Sequence, residues 1–169
     1  MLTQPRSVSA SYIRNFVFGV EDSLVSTVGL LSGVAIAGVE QKYIFITGLI
    51  LIFVEAFSMA VGSFLSEESA EKYIEQSEVS ARRPLLNGII MFVSYFISGF
   101  VPLFPYIIFP VASAFWFSIL LSLLALFVLG AIGAKISNIN IFKNGFRMLL
   151  VGGIAIFAGV AVGKFAKGL

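Results

Sequence analysis

Three properties of the sequence predict an all-α integral membrane protein with five transmembrane helices per protomer. First, 59% of its 169 residues are hydrophobic and 12% charged, with a mean hydropathy of +1.02. A water-soluble domain is about half apolar and a quarter charged, so the surplus must face lipid. Second, the surplus falls in long runs, and five spans of about 20 residues account for the roughly 100 apolar positions with room only for short loops. Third, Cys and His are both absent. That removes disulfides, thiolate and imidazole metal sites, cysteine nucleophiles and imidazole-dependent triads, so neither an enzyme nor a resident cofactor is expected. The net charge of +2 and pI near 9.0 come mainly from basic residues in loops, which points to membrane topology rather than to nucleic acid.

The elements follow in order along a single membrane domain. Residues 1–16 are polar, carry Arg6 and Arg14, and read as a flexible tail. The first span covers about 16–38. Its Ala35, Ile36 and Ala37 look like a signal-peptidase site, but the preceding segment holds Glu21 and Asp22 and is too long for a signal core, so it is expected to be retained. The second span, about 43–65, suits a tilted helix. An acidic cytoplasmic linker, 66–83, contains Glu67, Glu68, Glu71, Lys72, Glu75, Glu78, Arg82 and Arg83. Pro84 opens the third span, about 85–101, where a first helical turn tolerates its missing donor. Pro102, Pro105 and Pro110 then predict a tight turn. The fourth span covers about 111–134, a polar loop 135–147, and the fifth span about 148–165.

Basic residues near span ends set the orientation. With the N-terminus in the cytoplasm, Arg6, Arg14, Lys72, Arg82, Arg83, Lys135, Lys143 and Arg147 lie inside, against Lys42, Lys164 and Lys167 outside. An odd number of spans then places the C-terminus outside.

Acids within the spans are the main functional clue. Glu21 and Asp22 lie in the first span and Glu55 in the second, and no Lys, Arg or His stands at comparable depth. An ionised carboxylate there costs a few kcal/mol even on lenient insertion scales, so protons or imported cations must neutralise it. Asp22 lies about 12 Å past Arg14, and Glu55 about 15 Å before Leu65. On antiparallel helices they reach similar depth. Asp22 shares a small, polar stripe with Ser26, Gly29 and Gly33, and Glu55 one with Ser58, Met59, Gly62 and Ser66. Met59, one turn from Glu55, is either a thioether ligand for a borderline metal or a packing residue. Asp22, Glu55 and Met59 are therefore the candidate metal ligands. Glu21, about 100° round the helix from Asp22, is assigned with Glu67, Glu71 and Glu75 to the cytoplasmic mouth. Like charges on one helix face repel there, and a divalent cation would relieve them; solvated charge, with Glu68 paired to Lys72, is the other reading. Gly29, Gly33, Gly159 and Gly163 are read as helix-packing positions.

GVEDSLVSTVGLLSGVAIAG in the first span, EAFSMAVGSFLSEESAEKY closing the second, GFVPLFPY ending the third and RMLLVGGIAIFAGVAVGK in the fifth resemble the vacuolar iron transporter family over nearly the whole chain. The resemblance implies a five-helix protomer, a homodimer with a metal path near its two-fold axis, and movement of Fe2+ or Mn2+ out of the cytoplasm in exchange for protons. By motif, Asp22 corresponds to the family's intramembrane aspartate and Met59 to its second-helix methionine. Leu51 stands where the plant and fungal pattern has Glu, Glu55 stands one turn nearer the methionine as in prokaryotic-looking relatives, and Ser23 replaces a glycine. The helical cytoplasmic metal-binding insert is missing, with only 66–83 in its place. This short form implies a prokaryotic-type plasma membrane rather than a vacuole. A passive cation channel and a non-transporting membrane scaffold subunit are the alternative functions.

Overall fold

The computed structural model describes residues 5–168, with side chains from residue 9 onward. The described residues form six helices and no strand: α1 (Pro5–Ile36), α2 (Gln41–Glu75), α3 (Arg82–Leu103), the single turn α4 (Pro105–Ile108), α5 (Val111–Ile136) and α6 (Ile141–Lys167). Five of them, all but α4, are long and apolar enough to cross a bilayer.

The tail expected over residues 1–16 is replaced, from Pro5 onward, by the first turns of α1; residues 1–4 lie outside the described residues. Pro5 suits a first turn. Ser11 and Asn15, one turn apart on one face, bond to Glu67 of α2 and Asn87 of α3. The segment is thus helical because its polar side chains have partners on neighbouring helices, which hydropathy does not register. At the other end the helix closes on Gly38, whose φ of +87 is a left-handed conformation that glycine adopts freely. Gly38 N–H donates to the Ala35 carbonyl and Val39 N–H to that of Val34, the paired bonds of a Schellman stop.

Helix α2 has 35 residues, about 52 Å at the α-helical rise, so it outruns a hydrocarbon core of about 30 Å. The acidic segment read as a linker is therefore mostly helix. Its last turns run to Glu75, and only a short turn precedes α3. Pro102 lies inside α3 and Pro105 opens α4. The proline turn is pinned rather than loose. Gln41 Nε2 donates to the Tyr106 carbonyl at 2.7 Å and the Phe109 carbonyl at 3.1 Å, and Ser118 Oγ donates to the Pro102 carbonyl at 2.7 Å.

The loop expected over 135–147 shrinks to four residues, 137–140, between α5 and α6. Asn140 caps α6 by accepting from Lys143 N–H at 3.0 Å, which satisfies one of the donors left open at a helix start. Asn144 Nδ2 then donates to the Gly130 carbonyl at 2.7 Å. These polar residues look like loop in the sequence because the cap and the bond across to α5 are what make them helical.

Helix α1 packs against α2, α3, α5 and α6. Leu24, Val28 and Leu31 recur at i, i+4 and i+7 and are fully enclosed. Near the proline turn Leu31, Ile44, Ile52, Leu103, Tyr106 and Ala114 form one apolar cluster. Against α6 the contact is backbone on backbone. A Cβ on Gly159 would run into the Gly29 carbonyl, one on Gly163 into the Gly33 carbonyl, and one on Gly33 would meet the Gly159 carbonyl oxygen at 2.7 Å. Only residues without side chains allow that approach. Phe57, Trp116 and Phe157 point outward from α2, α5 and α6, which suits surfaces bathed in lipid.

Candidate functional site

Short loops set α1 and α3 parallel and α2 antiparallel to both, so polar residues from all three meet on one side of the bundle. Two clusters result. The deeper one joins Asp22 of α1, Glu55 of α2 and Tyr95 of α3. Asp22 and Glu55 lie within electrostatic reach of one another, and both within reach of the Tyr95 phenol. Tyr95 is fully buried. Its hydroxyl lies 2.8 Å from Ser26 Oγ, one turn beyond Asp22 on α1, and its carbonyl accepts from Ser23 Oγ at 2.6 Å. Gly99 makes this crossing possible, since a Cβ there would stand 2.9 Å from Ser23 Oγ and 2.7 Å from Ile52. Asp22 and Glu55 are only half-buried in the single chain.

The second cluster lies at the end of the bundle where α1 and α3 begin and α2 ends. A groove of about 900 Å³ opens between α1 and α2 there, lined by Arg14, Asn15, Glu21, Ser58, Met59, Ser63, Glu67 and Met91 among others. Its wall is a hydrogen-bonded network. Asn15 Nδ2 donates to Asn87 Oδ1 at 2.6 Å, Ser63 Oγ donates to Asn15 Oδ1 at 3.2 Å, and Ser11 Oγ reaches Glu67 Oε1 at 2.9 Å and Asn87 Oδ1 at 3.3 Å. Asn15, Asn87 and Ser63 are all buried, and such groups are retained only when paired.

The candidate ligands are placed as follows. Asp22 and Glu55 come together in the deep cluster, while Met59, Glu21 and Glu67 line the groove. Glu71 stands apart, 3.2 Å from Arg83 Nη1 of α3, and Glu75 is exposed at the end of α2. Glu68 and Glu78 flank Lys72 at 3.2 and 3.4 Å. Among the described residues, no three carboxylates gather closely enough to hold a metal by themselves. Any cation held here would depend on two carboxylates and neutral donors. Sequence reasoning missed Tyr95, Met91, Asn15 and Asn87. A tyrosine or methionine inside an apolar run reads as packing, and Asn15 falls in the polar segment 1–16; Asn87, an amide inside the third apolar span, was the one signal that pointed to a buried network.

Five helices long and apolar enough to cross a bilayer, with a polar, acidic seam between them, define an integral membrane protein. Comparison with known proteins gives the family. The profile of the VIT family matches residues 13–85 and again 71–164, so the chain belongs to the VIT family. It is 20% identical to "Vacuolar iron transporter 1" of Arabidopsis thaliana, in an alignment covering 98% of this chain and 90% of that one. It is 23% identical to the protein of the same name from Eucalyptus grandis, covering 90% and 85%. An uncharacterized protein of Methanocaldococcus jannaschii is 26% identical, covering 92% of this chain and 94% of its own.

Proposed function

We propose that the protein moves divalent transition-metal ions, Fe2+ or Mn2+, out of the cytoplasm in exchange for protons. The observation that carries this reading is the juxtaposition of Asp22 and Glu55 on antiparallel helices, with no Lys or Arg at their depth. Two carboxylates that repel one another in a low-dielectric seam are relieved by a cation or by protons. The names of the plant relatives, which state iron transport, agree with a metal as cargo.

The charged end, with Arg14, Arg83, Lys135 and Lys143, faces the cytoplasm by the excess of basic residues there. Metal passes Glu67 in the groove, then Glu21 and Met59, and reaches Asp22 and Glu55. Protons arriving from the other side compete for the same carboxylates and release it, since only the charged form binds metal. The membrane is a prokaryotic-type plasma membrane, in keeping with the archaeal relative. The working unit is a homodimer. On α2, Ser58, Gly62 and Ser66 are exposed in the single chain beside half-buried Glu55, and a Cβ on Gly62 would meet nothing. A polar, small-residue face of that kind is unfavourable against lipid and suits a second copy packed about a two-fold axis.

Proteoliposomes loaded with a metal-sensitive dye test the reading. Wild-type vesicles are expected to carry Mn2+ and Fe2+ faster when a pH gradient is imposed, and Asp22→Asn or Glu55→Gln to cut flux by about 100-fold. Intact flux in both variants would overturn the mechanism, and flux indifferent to the pH gradient would make the protein a channel.

A further inference from the structure

A built-in cation stands in the mouth of the groove. Of the four ion pairs among the described residues, the one between Arg14 and Glu67 lines the groove. Arg14 Nη2 lies 2.9 Å from Glu67 Oε2, and Ser11 Oγ donates to Oε1 at 2.9 Å. The two charged partners are held very differently. The Glu67 side chain is 13% exposed and that of Arg14 66%. The Ser11 hydroxyl that bonds Glu67 stands beside the buried network of Asn15, Asn87 and Ser63, 3.3 Å from Asn87 Oδ1. The carboxylate is thus held between α1 and α2, whereas its guanidinium partner is largely exposed in the single chain.

The energetics of the pair are correspondingly unequal. A pair with one partner mostly in water is worth about 0 to 1 kcal/mol, because solvation replaces most of what the contact supplied. Arg14 therefore leaves at little cost. Glu67 left alone keeps its hydrogen bond from Ser11, and its negative charge in the groove then attracts any cation that can approach it more closely than a guanidinium does. Whatever displaces Arg14 must supply more charge at shorter range than a guanidinium. A small divalent ion does so; K+ or Na+, with one charge, does not. We infer that Arg14 is a specificity-determining residue, an exchangeable counter-ion to Glu67 that a cation must displace to enter the groove and that divalent ions displace far better than monovalent ones. Arg14 acts through Glu67 and does not itself touch the cargo, so it is a positioning residue.

The inference rests on the transport reading above, and its test separates the two. Mn2+ flux into proteoliposomes is measured against Mn2+ concentration, in potassium and in choline medium, for the full chain and its Arg14→Gln, Arg14→Lys, Glu67→Gln and double Arg14→Gln, Glu67→Gln variants. Arg14→Gln is expected to lower KM about two- to fivefold, the worth of an exposed pair, with kcat little changed and with inhibition by potassium that the wild type lacks. Arg14→Lys restores wild-type behaviour. Glu67→Gln raises KM, and adding Arg14→Gln to it brings no gain, because the two residues act as one unit. A KM unchanged or raised in Arg14→Gln, or a gain that persists without Glu67, overturns the inference while wild-type flux leaves the transport reading standing. A lowered melting temperature and kcat in Arg14→Gln with no fall in KM would make Arg14 a structural clamp and overturn it equally. Wild-type vesicles without flux would overturn both.

Discussion

Helix α1 presents two unlike faces. Towards α2 and α3 it offers Ser11, Asn15, Ser23 and Ser26, each bonded to a named group on the neighbouring helix. Towards α6 it offers Gly29 and Gly33, which touch Gly159 and Gly163 backbone to backbone. The first face is held by directional bonds and carries charge; the second is held by shape. Lipid gives helices no hydrophobic reason to associate, so close packing and interhelical hydrogen bonds must do it. The protein uses one device on each side of the same helix. Burial sharpens the contrast, since 44% of the apolar window of α1 is enclosed within the chain but only 22% of that of α2. The helix that carries Glu55 is held at the edge of the bundle, on the polar side.

Substitutions on the two faces should therefore fail in different ways. The largest effect is expected at the acids. Asp22→Asn and Glu55→Gln should cut metal flux by about 100-fold, given that even residues supporting a metal ligand change affinity 10- to 100-fold. Their melting temperatures should hold or rise, because an unpaired charge has been removed from the membrane. On the opposite face Gly159→Leu should do the reverse, lowering stability by about 2 to 3 kcal/mol through overpacking against the Gly29 carbonyl. Flux per folded molecule should remain near wild type, and chemical denaturation alongside transport would read both. Next comes Asn87→Ala, which strands the buried amide of Asn15, at about 1 to 3 kcal/mol. Smallest is Ser26→Ala, which removes one bond to Tyr95, at about 1 kcal/mol. If Gly159→Leu stopped transport in fully folded protein, or if Asp22→Asn unfolded it, the division of labour between the faces would be wrong.

The two faces also differ in how legible they were. Five spans and their intramembrane acids stand out in the sequence because a charge in hydrocarbon is costly enough to be rare, so hydropathy and carboxylates carry the signal. The glycines of α1 and α6 were visible for a similar reason, their four-residue spacing placing them on one face. The ends of helices were not. Residues 5–16 became helix through Asn15 and Asn87, which lie 72 positions apart, and α6 began at Ile141 through the Asn140 cap. Arg82 and Arg83 read as linker but form the first turn of α3, with Arg83 3.2 Å from Glu71. Tyr95 was silent because its chemistry comes from what Ser26, Asp22 and Glu55 place around it, not from its own neighbours in sequence.

Joint occupation of Asp22 and Glu55 by one divalent ion is the claim on which the rest stands, and titrating the melting temperature of the purified protein with Mn2+ tests it most directly. A ligand that binds only the folded state stabilises it by about 2.7 kcal/mol at one hundred times its Kd. The wild type and Gly159→Leu should both melt at rising temperature as Mn2+ increases, while Asp22→Asn and Glu55→Gln should each give a flat line. Equal rises in the wild type and in the two acid variants would place the cation elsewhere and contradict the account.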